Sequence, residues 1–292
     1  MIVLLLLTLQ TDLADLAHKS GSTVGIYVEH LERHETAGVN AKRPFPLAST
    51  FKLPLAVVAL RDVERKRLPP LDGKVRLLPT DMRPWVSPLY ERMPHGGEAT
   101  LREVITSMLV TSDNSAADAL LRLCGGAARV SAELRALKLP DISIDRSEGE
   151  INAAIEVPDR KAALEKFRAD PRDHATPEAM ARVLTRLWRN ELLTPPNNAF
   201  IRDGLTRCQT GARRLRGGLP PSTPVGDRTG TCSSLAGDGA DAICANDVGL
   251  ITLPSGDHVA VAVLVEDAGG AIAAKERLIA DVARAVWKAY AR

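Results

Sequence analysis

Three stretches near the end of the chain predict neighbouring β-strands: PVGDRTGT at residues 224–231, NDVGLITLP at 246–254 and HVAVAVLVED at 258–267. Short apolar runs broken by Gly and Pro are typical of strands. Ser255, Gly256 and Asp257 separate the last two runs, and they predict a tight turn between antiparallel strands. The chain therefore ends in a β-meander that must pack against another layer.

The other end of the chain supplies two more strands and a helix. Residues 23–30 alternate as a strand does, and residues 35–40 offer its hairpin partner. Helical spacing is found at residues 11–19 and again in AAKERLIADVARAVWKAY at 273–290. The economical assembly is an α+β fold, with one five-stranded antiparallel sheet flanked by terminal helices.

Between these ends lies a block that predicts helices joined by polar connections. Helical spacing is seen in LPLAVVALRDVERK, LREVITSMLV, SAADALLRL, VSAELRALK and PEAMARVLTRLW. We therefore expect an all-helical domain at 47–204, inserted into a sheet domain made of 11–46 and 205–292. Clefts between such domains are usual places for small-molecule sites, so the active site is expected there.

Composition points to a small-molecule partner. The chain has 38 Lys and Arg against 36 Asp and Glu, and only 3% aromatic residues. Neither nucleic acid nor a membrane surface is therefore the expected partner.

No apolar run is long enough to span a bilayer, and a monomer is the default. The opening MIVLLLLTLQ is either an export signal without its basic start or a hydrophobic first helix; we favour export to the periplasm or medium.

The four cysteines do not predict a disulfide scaffold or a metal site. No C-x-x-C occurs, so neither a metal nor another cofactor is expected. Cys232 and Cys244 bracket a Gly-rich stretch and could face each other across a hairpin, but two buried free thiols are the expected state of this pair. His30 and His34 do not form H-E-x-x-H, and they fall in a predicted hairpin where they do not converge on one metal.

A nucleophile is suggested by Ser49-Thr50-Phe51-Lys52, the only S-x-x-K in the sequence. It stands where a helix begins, and residues three apart share a helix face, so the Lys52 nitrogen can reach the Ser49 hydroxyl. The helix N-terminus favours negative charge that develops nearby. Alone the motif is weak, because roughly one chance S-x-x-K is expected in a chain this long.

Two further motifs follow in order. Ser112-Asp113-Asn114 lies between predicted helices, where it also fits a turn and an N-cap. Arg228-Thr229-Gly230 lies in a predicted strand, where Gly lets a ligand approach the backbone. An accidental set of all three is far less probable than any one of them. With these motifs the chain resembles the penicillin-recognising serine enzymes.

The segment DRSEGEIN at residues 145–152 narrows the resemblance, because it matches the Arg-x-Glu-x-x-x-Asn loop of class A β-lactamases. An acyl-enzyme is long-lived unless a base holds a water near it, and Glu148 with Asn152 fits that task. Glu150 is the alternative carboxylate. The resemblance implies the two-domain fold of that family and hydrolysis of the β-lactam ring of penicillins and cephalosporins.

Further roles are implied by the resemblance, one residue at a time. Ser49, Lys52, Ser112 and Glu148 are the implied catalytic residues. Asn114 is expected to hold the side-chain amide of the substrate, and Asn152 also to contact it. Arg214, Arg228 and Thr229 are expected to hold its carboxylate, with Thr231 beside them. The oxyanion hole is expected from the N–H groups of Ser49 and Thr231. Arg146 and Asp173 are expected to close the loop by pairing.

The chain also departs from this family. Arg228 stands where Lys is usual, and VPDRKAALEKFRA at residues 157–169 lengthens the loop before Asp173. Cys232 follows Thr231 as in carbapenem-hydrolysing members, but Ala48 stands in place of the cysteine that pairs with it there. The rivals that remain are a D-Ala-D-Ala peptidase or transpeptidase and a non-hydrolytic β-lactam sensor. Glu148 with Asn152 argues against the first by providing a deacylating water, and Glu148 argues against the second because a sensor that stays acylated benefits from its absence.

Overall fold

The computed structural model describes residues 2–232, 242–267 and 270–291. Within them the strands are β1 (Thr23–His30), β2 (Glu35–Val39), β3 (Phe45–Pro46), β4 (Lys74–Leu77), β5 (Gly97–Thr100), β6 (His174–Ala175), β7 (Val225–Thr231), β8 (Cys244–Thr252) and β9 (His258–Glu266). The helices are α1 (Ile2–Lys19), α2 (Lys52–Glu64), α3 (Pro88–Arg92), α4 (Leu101–Val110), α5 (Asn114–Leu123), α6 (Ala127–Ala136), α7 (Glu148–Ile155), α8 (Arg160–Ala169), α9 (Pro177–Trp188), α10 (Pro195–Thr206) and α11 (Ile272–Tyr290).

The predicted five-stranded antiparallel sheet is confirmed, with the strand order β2-β1-β9-β8-β7. β9 lies at its centre, and its register with β1 runs from Thr23 opposite Glu266 to His30 opposite Val259. Seven consecutive residues of β9 are buried, as its nearly unbroken apolar sequence requires. Helices α1 and α11 pack together and share the hydrophobic core of the sheet.

Helix α1 is longer than the predicted helix at residues 11–19. It begins at Ile2, because the apolar run at the start of the chain continues into it without a break. Leu9 and Leu13 are 1% and 0% exposed, and both belong to the core of the sheet. No helix among the described residues is long and apolar enough to cross a membrane.

Contacts divide the chain into two compact units. We call residues 1–50, 174–186 and 211–292 the sheet unit, and residues 51–173 and 187–210 the helical unit. Residues 174–186 fall in the sheet unit, although the sequence pattern places them in the helical domain. The reason is long-range pairing: β6 pairs with β3, and the Thr185 hydroxyl donates to the Glu29 carboxylate at 3.0 Å.

The helical unit follows its local signals closely. Helix α4 begins with a capping box between Thr100 and Glu103, which have the T-x-x-E spacing of that motif. Helix α5 ends at Leu123, where Gly125 and Gly126 adopt φ of +82° and +89°. The antiparallel pair β4–β5 was not predicted, because each strand has only four residues and lies inside a helical block.

The prediction of two free thiols at Cys232 and Cys244 is wrong, because these residues form a disulfide with a Cα–Cα distance of 4.9 Å. The sheet explains the pairing: the Cys232 N–H donates to the Cys244 carbonyl at 3.1 Å, which continues the β7–β8 ladder. Cys124 and Cys208 are the free cysteines of the described residues, and both are buried. Burial raises the pKa of Cys124 to about 12.

A pair of acidic side chains is buried in the sheet. Asp227 on β7 and Asp247 on β8 are both 0% exposed. Arg216 binds the Asp227 carboxylate at 2.8 Å, whereas Asp247 Oδ2 accepts the Leu215 N–H at 3.1 Å. Burial first, and then the negative charge of Asp227, raise the pKa of Asp247 well above its ordinary 3.8.

This pair predicts a pH-dependent loss of stability. Between pH 3.8 and the folded-state pKa of Asp247, the folded chain binds more protons than the unfolded chain, so stability falls as pH rises. Asp247→Asn removes this proton. We expect its free energy of unfolding, relative to the parent, to grow by about 1–3 kcal/mol from acidic to mildly alkaline pH. Urea unfolding at several pH values measures this difference in the free energy of unfolding. Asp141→Asn, at an exposed site, is the control. The prediction is contradicted if the stabilities of Asp247→Asn and the parent change in parallel with pH.

Candidate active site

Ser49 lies in a 3-10 turn, Ala48–Phe51, directly before α2. Ala48 has φ of +44°, a left-handed conformation that is strained for alanine. Strand β7 comes close to this turn: Arg228 Nε donates to the Ser49 carbonyl at 3.2 Å, and a Cβ added at Gly230 would lie 3.0 Å from Ser49 N. The glycine therefore permits the strand and the turn to approach.

The residues expected to bind a carboxylate are held by the sheet unit itself. Arg214 Nη1 donates to carbonyls of β7 and β8 at 2.9 and 2.8 Å, and Nη2 donates to the Thr231 hydroxyl at 2.6 Å. Arg228 and Thr229 are buried, whereas Thr231 is exposed. The structure thus brings Arg214 to Thr231 and Arg228 to Ser49.

Lys52 is the centre of a buried polar cluster in the helical unit. Its ammonium donates to the Ser112 carbonyl at 2.7 Å, to the Ser112 hydroxyl at 3.2 Å and to Asn114 Oδ1 at 2.5 Å. Glu148 Oε1 lies 3.1 Å from the same nitrogen. The Lys52 side chain is fully buried, which strengthens each of these interactions. One nitrogen thus contacts a hydroxyl and a carboxylate, as a proton-transfer route requires.

The Ser112-Asp113-Asn114 loop is fixed by its middle residue. The Asp113 carboxylate caps α5 through the Ala116 N–H at 2.9 Å, which confirms the predicted N-cap. It also accepts the Leu89 N–H and the hydroxyls of two serines on neighbouring elements. Ser112 has φ of +63°, a strained conformation that these bonds maintain. This anchoring role was not foreseen from the sequence.

Helix α7 carries both proposed deacylation residues. It begins at Glu148, and Asn152 follows one turn later on the same face. A capping box starts the helix: the Ser147 side chain accepts from the Glu150 N–H, and the Glu150 carboxylate accepts the Ser147 N–H at 2.8 Å. Glu150 is thereby engaged as a cap, whereas Glu148 contacts Lys52.

The Asp118 carboxylate holds the N-terminus of α7 in place. None of the sequence motifs identifies this residue. Its carboxylate accepts the N–H groups of Glu148 at 2.7 Å and Gly149 at 3.0 Å, and Arg83 binds it at 2.6 Å. Burial raises the pKa of Asp118, although Arg83 and both amides oppose that rise. The available signal was its helical spacing of four from Asn114, which puts an acidic side chain on the buried face of α5.

Removal of Asp118 is expected to impair both the fold and the placement of Glu148. Asp118→Ala leaves two amides and Arg83 without their acceptor, so we expect a loss of about 3 kcal/mol in the free energy of unfolding. Asp118→Asn keeps one acceptor oxygen and is expected to recover part of that loss. Thermal unfolding measures the stability, and the rate of product release measures Glu148 placement. Equal stability of Asp118→Ala and the parent would contradict the role.

Arg146 and Asp173 lie together at the base of the loop that bears α7. Arg146 Nε binds Asp173 Oδ2 at 2.6 Å, and Asp173 Oδ1 accepts the N–H groups of Asp145 and Arg146 at 2.7 and 3.0 Å. The Asp173 N–H in turn donates to the Asp145 carboxylate at 2.9 Å. The long insertion before Asp173 forms α8, which packs against α7.

Comparison with known proteins places this geometry in a family. The sequence model of the β-lactamase enzyme family matches residues 8–290. The chain belongs to this family. It is an enzyme of β-lactam hydrolysis, and its predicted class A resemblance is confirmed.

Individual relatives agree with this assignment. The chain is 30% identical to β-lactamase VEB-1 of Pseudomonas aeruginosa, over 91% of this chain and 85% of that protein. The crystal structure of the TLA-3 extended-spectrum β-lactamase superposes with a TM-score of 0.87 at 29% identity and covers 97% of this chain and 98% of its own. An ancestral class A β-lactamase gives 0.82 at 31% identity, with coverage of 97% and 100%.

Proposed function

We propose that this β-lactamase opens penicillins and cephalosporins through an acyl-enzyme on Ser49 and frees itself with a water activated by Glu148. The observation that carries the proposal is the Lys52 nitrogen, which lies 3.2 Å from the Ser112 hydroxyl and 3.1 Å from the Glu148 carboxylate. Such a buried cluster supplies both proton acceptors and proton donors for acyl transfer.

In the acylation step Ser49 Oγ bonds to the lactam carbonyl carbon, and the ring C–N bond breaks. The Ser49 proton passes to Lys52 in its neutral amine form, or through water to Glu148. It returns through Lys52 and the Ser112 hydroxyl to the departing nitrogen, so Ser112 regains the proton that it delivers. The N–H groups of Ser49 and Thr231 stabilise the oxyanion. Support comes from the close approach of β7 to the Ser49 turn at Gly230.

In the deacylation step Glu148 removes a proton from a water that Asn152 helps to hold, and the water attacks the ester carbonyl. The C–O bond to Ser49 then breaks, and Ser49 recovers its proton. The anchoring of α7 by Asp118 supports this role, because a base must be held in position relative to its water.

Substrate binding is proposed to use two groups of residues. Arg214, Arg228, Thr229 and Thr231 hold the carboxylate of the substrate, and Asn114 and Asn152 contact its side-chain amide. The hydrogen bond from Arg214 to the Thr231 hydroxyl supports the first part, because it orients both groups before a ligand arrives. Asn114 is held by Lys52 and by the Trp85 carbonyl at 3.1 Å.

We propose that the enzyme acts as a monomer outside the cytoplasm, in the periplasm or the medium. The Cys232–Cys244 disulfide supports export, because disulfides persist in oxidising compartments and are rare where thiols are kept reduced.

The deciding experiment for this function is a time course with a chromogenic cephalosporin and the purified enzyme, followed by absorbance and by the mass of the intact protein. Sustained turnover far beyond one product per enzyme is the expected result. A single stoichiometric burst with a persistent adduct would instead make the chain a transpeptidase or a sensor.

A further inference from the structure

Asn246 is a fully buried polar residue of the sheet unit that the steps proposed above do not use. It lies on β8 opposite Gly230 of β7 and is 0% exposed. Its side-chain nitrogen donates to the carbonyls of Pro46 at 2.7 Å and Leu47 at 3.1 Å. Its side-chain oxygen accepts the Val265 N–H at 3.2 Å. Two acceptors and one donor of the backbone therefore fix the orientation of this carboxamide.

The pairing of β7 with β8 explains how the carboxamide reaches these carbonyls. Residues that lie directly opposite each other on antiparallel strands place their side chains on the same face of the sheet. Gly230 has no side chain, and a Cβ there would lie 2.8 Å from the Leu47 carbonyl oxygen. The glycine thus leaves room for this carbonyl, and the Asn246 amide binds it.

The Leu47 carbonyl begins the turn that carries Ser49. It accepts the Thr50 N–H at 3.2 Å and the Thr50 hydroxyl at 2.6 Å, which closes the turn at residues 47–50. Ala48 lies inside this turn with its strained φ of +44°, and such a conformation persists only when the surrounding structure maintains it. Asn246 binds the same carbonyl from a strand 199 residues further along the chain, so it ties the turn to the sheet.

We propose that Asn246 is a positioning residue for Ser49. Its amide holds the Pro46 and Leu47 carbonyls against β8, and this fixes the Ser49 hydroxyl and the Ser49 N–H relative to the neighbouring strand β7. This role rests on the proposed function, in which Ser49 supplies both the nucleophile and one donor of the oxyanion hole. Such donors stabilise the developing charge only when they are held in place before the reaction.

Asn246→Asp tests the donated hydrogen bonds separately from the packing. Aspartate has the same shape and keeps an acceptor for the Val265 N–H, but it lacks the two N–H donors. We expect the acylation rate constant in single-turnover kinetics to fall about tenfold to a hundredfold, because a displaced nucleophile loses its attack geometry. Asn246→Ala is expected to show a comparable loss.

The affinity of the initial complex separates this effect from a loss of substrate binding. Arg214 donates to the backbone carbonyl of Asn246 at 2.8 Å, and both substitutions retain that carbonyl. We therefore expect the dissociation constant of the initial complex to change by less than about threefold while the acylation rate constant falls.

The matched control is Asn198 of the helical unit. It is also 0% exposed, and its side-chain nitrogen also donates to two carbonyls, those of Leu193 at 2.5 Å and Thr194 at 3.2 Å. Helix α10, on which it lies, carries none of the proposed site residues. We expect Asn198→Asp and Asn198→Ala to lower the unfolding temperature about as much as the Asn246 variants do, and to keep the acylation rate constant of the parent when assayed well below that temperature.

Hydrogen exchange of the Thr50 amide measures the turn without any substrate. In the parent this amide should exchange only through global unfolding, and in both Asn246 variants it should exchange at least about tenfold faster than the amides of β9. This result tests the positioning of the turn even if the parent releases no product and the proposed function fails. Undiminished acylation by Asn246→Asp, an equal loss of acylation in the Asn198 variants, or free exchange of the Thr50 amide in the parent would each overturn the proposal.

Discussion

The Glu148→Gln enzyme is expected to be acylated by a cephalosporin and then to remain acylated. Glutamine keeps the size of the side chain but cannot take a proton from the attacking water, so we expect deacylation to slow by about 10²–10⁴. Intact-protein mass spectrometry should show an adduct on Ser49, and absorbance should show a burst followed by a slow phase.

The matched control for this variant is Glu150→Gln. Glu150 lies on the same helix, but its carboxylate serves as the reciprocal cap of Ser147, a task that glutamine also performs. We therefore expect Glu150→Gln to turn over at close to the parent rate. If the adduct accumulates on Glu150→Gln and not on Glu148→Gln, the deacylating base has been assigned to the wrong carboxylate.

Loss of the nucleophile is expected to have the largest effect. Ser49→Ala removes the hydroxyl that forms the covalent bond, so we expect kcat/KM to fall by about 10⁴–10⁶ and no adduct to appear. Alanine fits the 3-10 turn, and the bond from Arg228 goes to the backbone carbonyl of residue 49, which the substitution retains.

Stability and substrate binding distinguish this result from misfolding. Thermal unfolding of Ser49→Ala should match that of the parent within a few degrees, and ligand-induced stabilisation by an intact cephalosporin should persist. Substantial residual turnover with a covalent adduct on another residue would show that Ser49 is not the nucleophile.

The parts of the fold that depend on local periodicity were accessible from the sequence. The strands β7, β8 and β9 and the helices α4 and α5 follow from the spacing of apolar residues and from caps such as Thr100 with Glu103. Short elements were not accessible: four residues, as in β4 and β5, carry too little pattern to stand out from a helical block.

The candidate site was accessible to the extent that its residues stand in motifs. Spacing along the chain selected Ser49, Lys52, Ser112 and Glu148. The structure brings the Ser112 hydroxyl and the Glu148 carboxylate to the Lys52 nitrogen. Asp118 was not selected, because its function lies in two backbone amides that are 30 and 31 residues away in sequence. No local pattern reports such a contact.

The sequence by itself determined the five strands of the sheet, most of the longer helices, the nucleophile motif and the segment that carries Glu148. Only the tertiary structure decided the Cys232–Cys244 disulfide, the place of residues 174–186 beside the sheet and the bonds from Asn246 to the Ser49 turn. The physical reason is the separation along the chain between the residues that interact. Periodicity and caps act between residues a few positions apart, whereas these features depend on strand register and packing between segments that only the folded chain brings together.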